Sequence, residues 1–347
     1  MRWQFYYSKR YTFYPPDYET PGLGGSEASL VLLTRTLASR GHSVEVFNCC
    51  YKPGVYDGVR WRMLWEREDA GKADVAVAVR FEESLCPDPA RANTHLFWML
   101  DNITGGADLF AERFGDHGGR VVTASEAMTR RLGDGAAARL STRIPLPIEV
   151  DRYEHADRPR DPICLFTSMP NRGLDVALKI WPAIRRAVPA AQLLVTSGWQ
   201  LWGEPAGEAQ GRMHRTLGGM PAPAGVSILG VLPRRDLIAV QQRGWLTLYP
   251  CRFHEMFCIS AAESAAAGAP MVTSALEALT ERVQHRSTGL LIPGDIDEQE
   301  TQHQFTEATI GLLRDQQTRD RFAAAGVRQV AACEPHRVAQ QWESLVS

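Results

Sequence analysis

Two acidic residues and three backbone N–H groups form the strongest candidate for a ligand site in this sequence. Glu255 and Glu263 stand eight residues apart, on either side of a predicted turn from a strand into a helix. The N–H groups of Met256, Phe257 and Cys258 lie between them. Because the first N–H groups of a helix have no partners within it, they attract anions. The segment is therefore predicted to bind a diphosphate.

A structural interpretation of both carboxylates stays open. Ser260 and Glu263 match the S-x-x-E capping box, in which the two side chains close the start of a helix. The helix would then cover only residues 261–267, which is short. In this interpretation Glu255 is a solvated loop residue.

A glycine-rich segment near the amino terminus is a second candidate. The run Pro21-Gly-Leu-Gly-Gly-Ser-Glu27, which contains Gly24 and Gly25, precedes a helical pattern over residues 28–38. Glycine lets the backbone approach a ligand, so this loop is predicted to bind a phosphate or a substrate. The alternatives are a flexible turn, in which Glu27 favours the first helical turn, and a dinucleotide-binding loop. The second fits badly, because Glu27 stands where G-x-G-x-x-G needs a glycine.

Short apolar runs alternate with helical patterns along the chain, which predicts parallel α/β sheets. The main predicted strands are residues 3–7, 43–47, 75–79, 94–100, 163–167, 192–196, 245–249 and 271–274. Proline and charge interrupt the alternation over residues 144–162. The sequence therefore predicts two doubly wound domains, residues 1–155 and 156–325, a helical segment over 326–347, and a ligand cleft outside the carboxyl ends of the strands.

These motifs together resemble the retaining glycosyltransferases often called family 4, which have the GT-B architecture of two Rossmann-like domains. The E-x7-E element from Glu255 to Glu263 carries the resemblance, and Thr288-Gly-Leu-Leu-Ile-Pro-Gly-Asp295 follows it. Gly24-Gly-Ser-Glu27 resembles the amino-terminal glycine loop of the family. The resemblance covers the chain from Gly22 to Asp295, and the order and spacing of the motifs make it specific.

The resemblance implies roles for individual residues. Glu255 would bind the hydroxyls of a donor sugar and Glu263 the ribose hydroxyls of its nucleotide, since carboxylates accept charge-assisted hydrogen bonds. Gly25, with Gly24, would approach the donor phosphate or the acceptor, and Gly230 lies in the stretch that meets the base. The implied reaction transfers a sugar, with retention, from a nucleotide-diphosphate sugar to an acceptor hydroxyl. The acceptor is a carbohydrate, a lipid or a natural product.

The cations and the acceptor side depart from the family's usual pattern. The family usually clamps the leaving diphosphate with an Arg and a Lys; Arg172 matches the Lys, whereas Ser168 stands near the missing Arg. Arg252 is the candidate for a second cation. Where the family often has a His, this chain has Leu100, which leaves Asp101 as the catalytic candidate or as a loop cap.

Composition excludes other classes of protein. Lysine and arginine total 38 and aspartate and glutamate 40, so the net charge of −2 predicts no nucleic-acid partner and at most peripheral membrane association. Seven cysteines without a C-x-x-C pair, and an amino terminus unlike a signal peptide, indicate a cytoplasmic protein. Asp295-Ile-Asp297 has the form of a metal-binding D-x-D motif, but an acidic turn explains it, so no metal or cofactor is predicted.

Two other functions stay open. The doubly wound pattern, with Gly22 and Gly24, is also compatible with an NAD-linked oxidoreductase. Ser168 and Leu100, at positions where the family has catalytic groups, are compatible with a catalytically silent protein that only binds sugar nucleotides.

Overall fold

The chain folds into two units, each discontinuous in sequence. The computed structural model describes residues 1–7, 12–85, 88–102, 104–153, 160–218 and 222–347. Unit 1 comprises Met1–Tyr18, Gly25–Ile148 and Ala332–Ser347, and unit 2 comprises Glu19–Gly24 and Glu149–Ala331. The predicted boundary between residues 155 and 156 lies outside the described residues. The predicted segment 326–347 is divided, because its residues from Ala332 onward belong to unit 1.

Unit 1 is built on a largely parallel sheet. Its strands within the described residues are β1 (Arg2–Tyr7), β2 (Ser43–Asn48), β3 (Gly54–Tyr56), β4 (Val59–Met63), β5 (Ala73–Val79), β6 (Ala92–Trp98), β7 (Arg120–Thr123) and β8 (Ser141–Arg143). Their order is β3-β4-β2-β1-β5-β6-β7-β8, and only β3 and β4 pair antiparallel. The helices that accompany them are α1 (Gly25–Ser39), α2 (Gly105–Phe114), α3 (Glu126–Arg131) and α4 (Ala136–Arg139).

The central strands of unit 1 bring distant residues to one edge. β1, β5 and β6 are buried along most of their length, which is typical of parallel strands covered on both faces. They are neighbours in the sheet and run in the same direction. The residues at and after their carboxyl ends, including Tyr7, Arg80 and Asp101, therefore lie at the same edge.

Unit 2 contains a second parallel sheet. Its strands within the described residues are β9 (Asp161–Phe166), β10 (Gln192–Val195), β11 (Val226–Ile228), β12 (Gly244–Tyr249), β13 (Met271–Ser274) and β14 (Gly289–Ile292), in the order β11-β10-β9-β12-β13-β14. Its helices are α5 (Leu174–Ala187), α6 (Ala206–Thr216), α7 (Arg234–Arg243), α8 (Ile259–Ala266), α9 (Leu279–Arg282), α10 (Gln299–Arg314) and α11 (Gln316–Val330).

Helices cover both faces of this second sheet. Cys164 and Phe166 of β9 belong to the apolar cluster that includes α5 and α10, whereas Ile163 and Leu165 pack with Val240 of α7. The unit is therefore doubly wound, as the sequence predicts. Because β9 and β12 are neighbours, the loops that follow them, residues 167–173 and 250–258, meet at the carboxyl edge of the sheet.

The last helix, α12 (Pro335–Ser344), belongs to unit 1. Trp342 is fully buried there, with its ring centroid 5.0 Å from that of Trp98. Glu343 accepts hydrogen bonds from Arg40, at 2.7 Å for both the Nε and the Nη2 contacts, and contacts His42 Nε2 at 2.8 Å. An apolar contact with β6 and an ion pair with residues that follow α1 thus join α12 to the rest of unit 1.

Candidate active site

Glu255 is a buried carboxylate held by one of its two oxygens. Its exposed fraction is 5%, so the alternative of a solvated loop residue is wrong. Oε1 accepts hydrogen bonds from Arg172 Nη1 and from the Tyr249 hydroxyl, both at 2.6 Å. Oε2 accepts no hydrogen bond from any described residue and reaches the surface. The carboxylate is thus fixed in position while one oxygen stays open to a ligand.

A close approach of two loops places Arg172 beside Glu255. Gly173 follows Arg172 with a φ of 128°, and a Cβ on it would lie 1.7 Å from the carbonyl oxygen of Pro250. Only glycine allows the start of α5 to come this near to the end of β12. The backbone N–H of Arg252 also donates to the Arg172 carbonyl oxygen at 3.3 Å, which ties the two loops together.

The Arg172 guanidinium is a stable cation in this setting. Burial, the largest single influence, lowers its pKa, but Glu255, Tyr249 and Cys258 together outweigh burial, so the pKa lies above its ordinary value. The guanidinium carbon lies 4.2 Å from the ring centroid of Phe253. Nε is buried and has no hydrogen-bond partner among the described residues. This unpartnered donor leaves hydrogen-bonding capacity beside the predicted diphosphate position.

Tyr249 completes the support of Glu255, and sequence reasoning missed it. Its hydroxyl donates to Glu255 and accepts a hydrogen bond from Ser168 Oγ at 3.0 Å. Burial, followed by the charge of Glu255, raises the pKa of Tyr249 well above its ordinary value, so the hydroxyl remains a donor. Ser168 therefore acts through Tyr249. The only signal in the sequence is a tyrosine as the last residue of a predicted strand.

Two of the three residues whose N–H groups the sequence predicts to bind a diphosphate, Phe257 and Cys258, lie immediately before α8. Phe257 and Cys258 are buried, and their backbone N–H groups have no acceptor among the described residues. Met256 precedes them and is also buried. Cys258 is the N-cap, with a φ of 66° that is uncommon outside glycine. Ser260 donates to the carbonyl oxygen of Thr167 at 3.1 Å, so the alternative of a Ser260–Glu263 capping box is wrong.

Glu263 lies within a buried polar network. Oε1 accepts a hydrogen bond from Arg234, and Oε2 accepts one from Gln241 Nε2 at 3.1 Å. The Tyr153 hydroxyl donates to Gln241 at 2.8 Å, and Arg234 Nε lies 3.7 Å from Glu149. Unlike Glu255, Glu263 therefore has a protein partner on each oxygen. A ribose hydroxyl can reach it only through the remaining lone pairs.

The same network includes the six-residue segment Glu19–Gly24. Arg152 donates to Glu19 at 2.6 and 3.1 Å and to Glu149 at 3.1 Å. The backbone N–H of Arg234 donates to the Glu19 carbonyl oxygen at 2.9 Å. These contacts attach Glu19 to unit 2, to which the segment belongs as far as Gly24, whereas Gly25 begins α1 in unit 1.

Other predicted residues lie apart from the Glu255 carboxylate. Arg252 forms a bidentate ion pair with Asp175, at 2.7 and 3.0 Å, and contacts Asp297 at 2.8 Å. Its charge is thus balanced by two carboxylates. Gly230 follows β11 with a φ of 73° and open space around its Cα.

In unit 1, Asp101 joins residues that the sequence did not single out as a group. Arg80 donates to Asp101 from Nε at 2.6 Å and from Nη2 at 3.3 Å. Arg80 Nη1 also donates to Glu27 at 3.0 Å, and Glu27 accepts a hydrogen bond from the Tyr7 hydroxyl. Asp101 is therefore one end of a chain of four polar side chains.

The described residues contain neither a metal-binding cluster nor a helix able to span a membrane. No group of three or more His, Cys, Asp or Glu side chains in the described part of the chain is arranged to hold a metal ion. Within the same residues, no helix combines the length and the apolarity needed to cross a bilayer.

Comparison of the sequence with known proteins identifies relatives of this chain. Residues 161–315 match the family model described as glycosyl transferases group 1. The GDP-mannose-dependent alpha-(1-6)-phosphatidylinositol monomannoside mannosyltransferase of Mycobacterium tuberculosis is 28% identical over 250 residues, which cover 69% of this chain and 56% of the relative. The chain thus spans little more than half the length of the curated relatives it matches.

Solved structures match over almost the whole chain. HepE of Anabaena, in complex with UDP and glucose, gives a TM-score of 0.75 at 14% identity, with 99% of this chain and 98% of that one covered. WaaG, a glycosyltransferase involved in lipopolysaccharide biosynthesis, gives 0.69 at 12% identity, with 100% of both chains covered. The predicted GT-B fold class is confirmed. The matched segment supports a group 1 glycosyltransferase, and the comparisons do not favour an NAD-linked oxidoreductase.

Proposed function

We propose that this chain is a retaining, metal-independent glycosyltransferase of family 4. It transfers a sugar from a nucleotide-diphosphate sugar to a hydroxyl of a carbohydrate, lipid or natural-product acceptor. The observation that carries this proposal is the open Oε2 of Glu255. A buried carboxylate anchored through Oε1 by Arg172 and Tyr249 has one lone-pair face left for the hydroxyls of a donor sugar.

The residues around Glu255 suit a leaving diphosphate. As the bond between the anomeric carbon and the phosphate oxygen breaks, negative charge grows on the diphosphate. Arg172 and the N–H groups of Phe257 and Cys258 are fixed donors for that charge. One preorganised donor of this kind stabilises a transition state by about 2.7–4 kcal/mol. Binding and phosphate electrostatics therefore supply most of the catalysis.

The proton balance needs no side-chain base. The acceptor oxygen forms its bond to the anomeric carbon on the face that the phosphate leaves, which gives retention. The acceptor proton passes to the departing phosphate oxygen. Asp101 orients the acceptor. The backbone at Gly24 and Gly25 lies beside the donor phosphate, and Glu263 and Gly230 contact the nucleoside.

The names of the relatives indicate which donors to test first. The mycobacterial relative is GDP-mannose-dependent, and HepE was solved with UDP and glucose. GDP-mannose and UDP-glucose are therefore the first two donors. A thermal-shift screen of nucleoside diphosphates should show stabilisation, since a ligand at 100 times its dissociation constant adds about 2.7 kcal/mol.

Transfer itself is tested with the donor that stabilises the protein and a panel of acceptors. NMR of the product should show the anomeric configuration of the donor, and EDTA should not reduce the rate. Glu255→Gln should abolish transfer, whereas Glu208→Gln, at an exposed position of the same unit, should not. An inverted product contradicts retention. Donor binding without transfer or donor hydrolysis indicates a silent sugar-nucleotide-binding protein, and tight NADH binding without any response to nucleoside diphosphates indicates an oxidoreductase.

A further inference from the structure

The side chains of Tyr7, Glu27, Arg80 and Asp101 form a continuous polar chain in unit 1. They come from the ends of β1, β5 and β6 and from the first turn of α1. The Arg80 guanidinium lies at the centre, where Nη1 donates to Glu27 at 3.0 Å and to the Tyr7 hydroxyl at 3.2 Å, and Nε donates to Asp101 at 2.6 Å. Four segments separated in sequence thus converge on one cation.

The backbone at Arg80 is strained in support of this arrangement. Its φ is 74°, a region that a long side chain rarely occupies, and such a conformation costs about 1–3 kcal/mol. The backbone N–H donates to the Trp98 carbonyl oxygen at 2.9 Å, which holds the turn in place. The guanidinium carbon also lies 4.8 Å from the ring centroid of Phe81. Strain of this kind clusters at functional sites, so its presence within a polar cluster motivates a functional hypothesis.

The chain has a buried end and an open end. Tyr7 is fully buried, and the side chain of Glu27 is 10% exposed, whereas the side chain of Asp101 is 28% exposed. Each Asp101 oxygen accepts one hydrogen bond from Arg80 and keeps a lone pair for another donor. Asp101 is therefore the member of the chain that a ligand can reach.

The charges of the chain favour a particular class of ligand. One guanidinium lies between two carboxylates, which leaves one net negative charge. Burial, and then the charge of Glu27, raises the pKa of Tyr7 well above its ordinary value, so its hydroxyl stays protonated. Burial lowers the pKa of Arg80, but Tyr7, Glu27 and Asp101 together raise it by more. The net pKa lies above its ordinary value, so the guanidinium stays charged. The open end therefore attracts hydroxyl or ammonium donors and repels phosphate.

We infer that Arg80 is a positioning residue that holds Asp101 to accept a hydrogen bond from an acceptor hydroxyl, and that this site selects neutral or amino-bearing acceptors over phosphorylated ones. This inference rests on the proposed function and adds to it a second site, on unit 1, and a class of acceptor. In this role Arg80 influences the acceptor through Asp101 and not by direct contact.

The experiment compares Arg80→Gly with Asp101→Asn and the wild type. Arg80→Gly removes the guanidinium and relieves the positive φ, and Asp57→Gly is the matched control, because Asp57 also has a positive φ, of 50°, outside this cluster. Misplacing Asp101 should lower kcat/KM for the acceptor about 100-fold. Nucleoside diphosphate affinity should not change, since the predicted donor residues belong mainly to unit 2. Added methylguanidinium should restore activity to Arg80→Gly, and methylammonium should not.

A second measurement tests the class of acceptor. Methyl glycosides and their 6-phosphates serve as probes, and the wild type should use the neutral members with the higher kcat/KM. Asp101→Asn should lose much of this preference, because the carboxylate that repels the phosphate is gone. This comparison uses an isosteric variant, so it remains informative if Arg80→Gly fails to fold.

Distinct outcomes overturn the inference and the proposed function. Normal transfer by a folded Arg80→Gly, equal rescue by methylammonium, or an unchanged acceptor preference in Asp101→Asn overturns the inference and leaves the proposed function standing. A parallel loss of nucleotide affinity in Arg80→Gly also overturns it, because the residue would then be a general structural support. A wild type that neither binds nucleoside diphosphates nor consumes a donor overturns both.

Discussion

Gly173→Ala tests the close contact on which the position of Arg172 depends. The glycine has a φ of 128°, and an added Cβ would lie 1.7 Å from the Pro250 carbonyl oxygen and 2.8 Å from its carbon. The backbone strain costs about 1–3 kcal/mol, and movement of the main chain to relieve the overlap costs a similar amount. We expect Gly173→Ala to be less stable than the wild type by roughly 2–6 kcal/mol.

Two other alanine variants of unit 2 separate these costs. Gly203 has a φ of 79° with no atom within 4 Å of an added Cβ, so Gly203→Ala retains only the backbone strain. Gly211 lies within α6, where an added Cβ makes ordinary contact with Arg215 at 3.6 Å, so Gly211→Ala should stabilise by about 0.5–1 kcal/mol. Thermal unfolding followed by circular dichroism should give the lowest midpoint for Gly173→Ala, a higher one for Gly203→Ala and the highest for Gly211→Ala. The midpoints should differ by about 2–4 °C per kcal/mol.

The same substitution has a functional consequence. Moving Gly173 away from Pro250 displaces the adjacent Arg172 from Glu255, and a shift of about 1 Å can cost about 100-fold in rate. Gly173→Ala should therefore lose both stabilisation by nucleoside diphosphates and transfer. A midpoint equal to that of Gly203→Ala refutes the main-chain overlap. A destabilised variant with wild-type nucleotide affinity refutes the link between this glycine and the donor site.

Three further substitutions test other carboxylates. Glu255→Gln should lower kcat/KM about 100-fold or more with the circular dichroism spectrum unchanged, since the sugar loses an ionised acceptor, and an active variant contradicts its role. Glu263→Gln removes one of the two carboxylates beside the buried Arg234 charge and should cost about 1–3 kcal/mol in urea unfolding; an equally stable variant would show that the pair is not a structural anchor. The hydrogen bond from Arg40 lowers the pKa of Glu343 from 4.5 to about 2, so this stabilisation is complete above pH 4.5 and is lost as the pH falls toward 2. Thermal midpoints measured across that window should fall less steeply in Glu343→Gln than in the wild type, and parallel curves would count against the ion pair.

Local patterns predict much of the fold, because a buried strand or helix face shows as a periodic pattern of apolar residues in that element. Strand Met271–Ser274 has the bounds that the sequence predicts, and strand Gly244–Tyr249 begins one residue before its predicted start. The edge strands Gly54–Tyr56 and Ser141–Arg143 were missed. Three residues, largely outside the core, are too few to show a period.

The candidate site is less visible in the sequence, because its partnerships cross long stretches of chain. The spacing of the two glutamates singles out Glu255, but nothing local shows that the last residue of β12, Tyr249, donates to it. Arg80 and Glu27 are 53 residues apart, and Arg234 and Glu263 are 29 apart. Strand order, which local periodicity does not encode, decides that these side chains meet.

The contacts of segment 19–24 matter for anyone who recombines this chain with a relative. Unit 2 is not a continuous stretch of sequence, since its ion pairs between Arg152 and Glu19, and the bond from Arg234 to the Glu19 carbonyl, depend on a hexapeptide encoded far upstream. A chimera joined only at residue 148 would combine a foreign hexapeptide with native arginines. Exchanging unit 2 for that of a relative thus calls for two exchanged pieces, one of which is only six residues long.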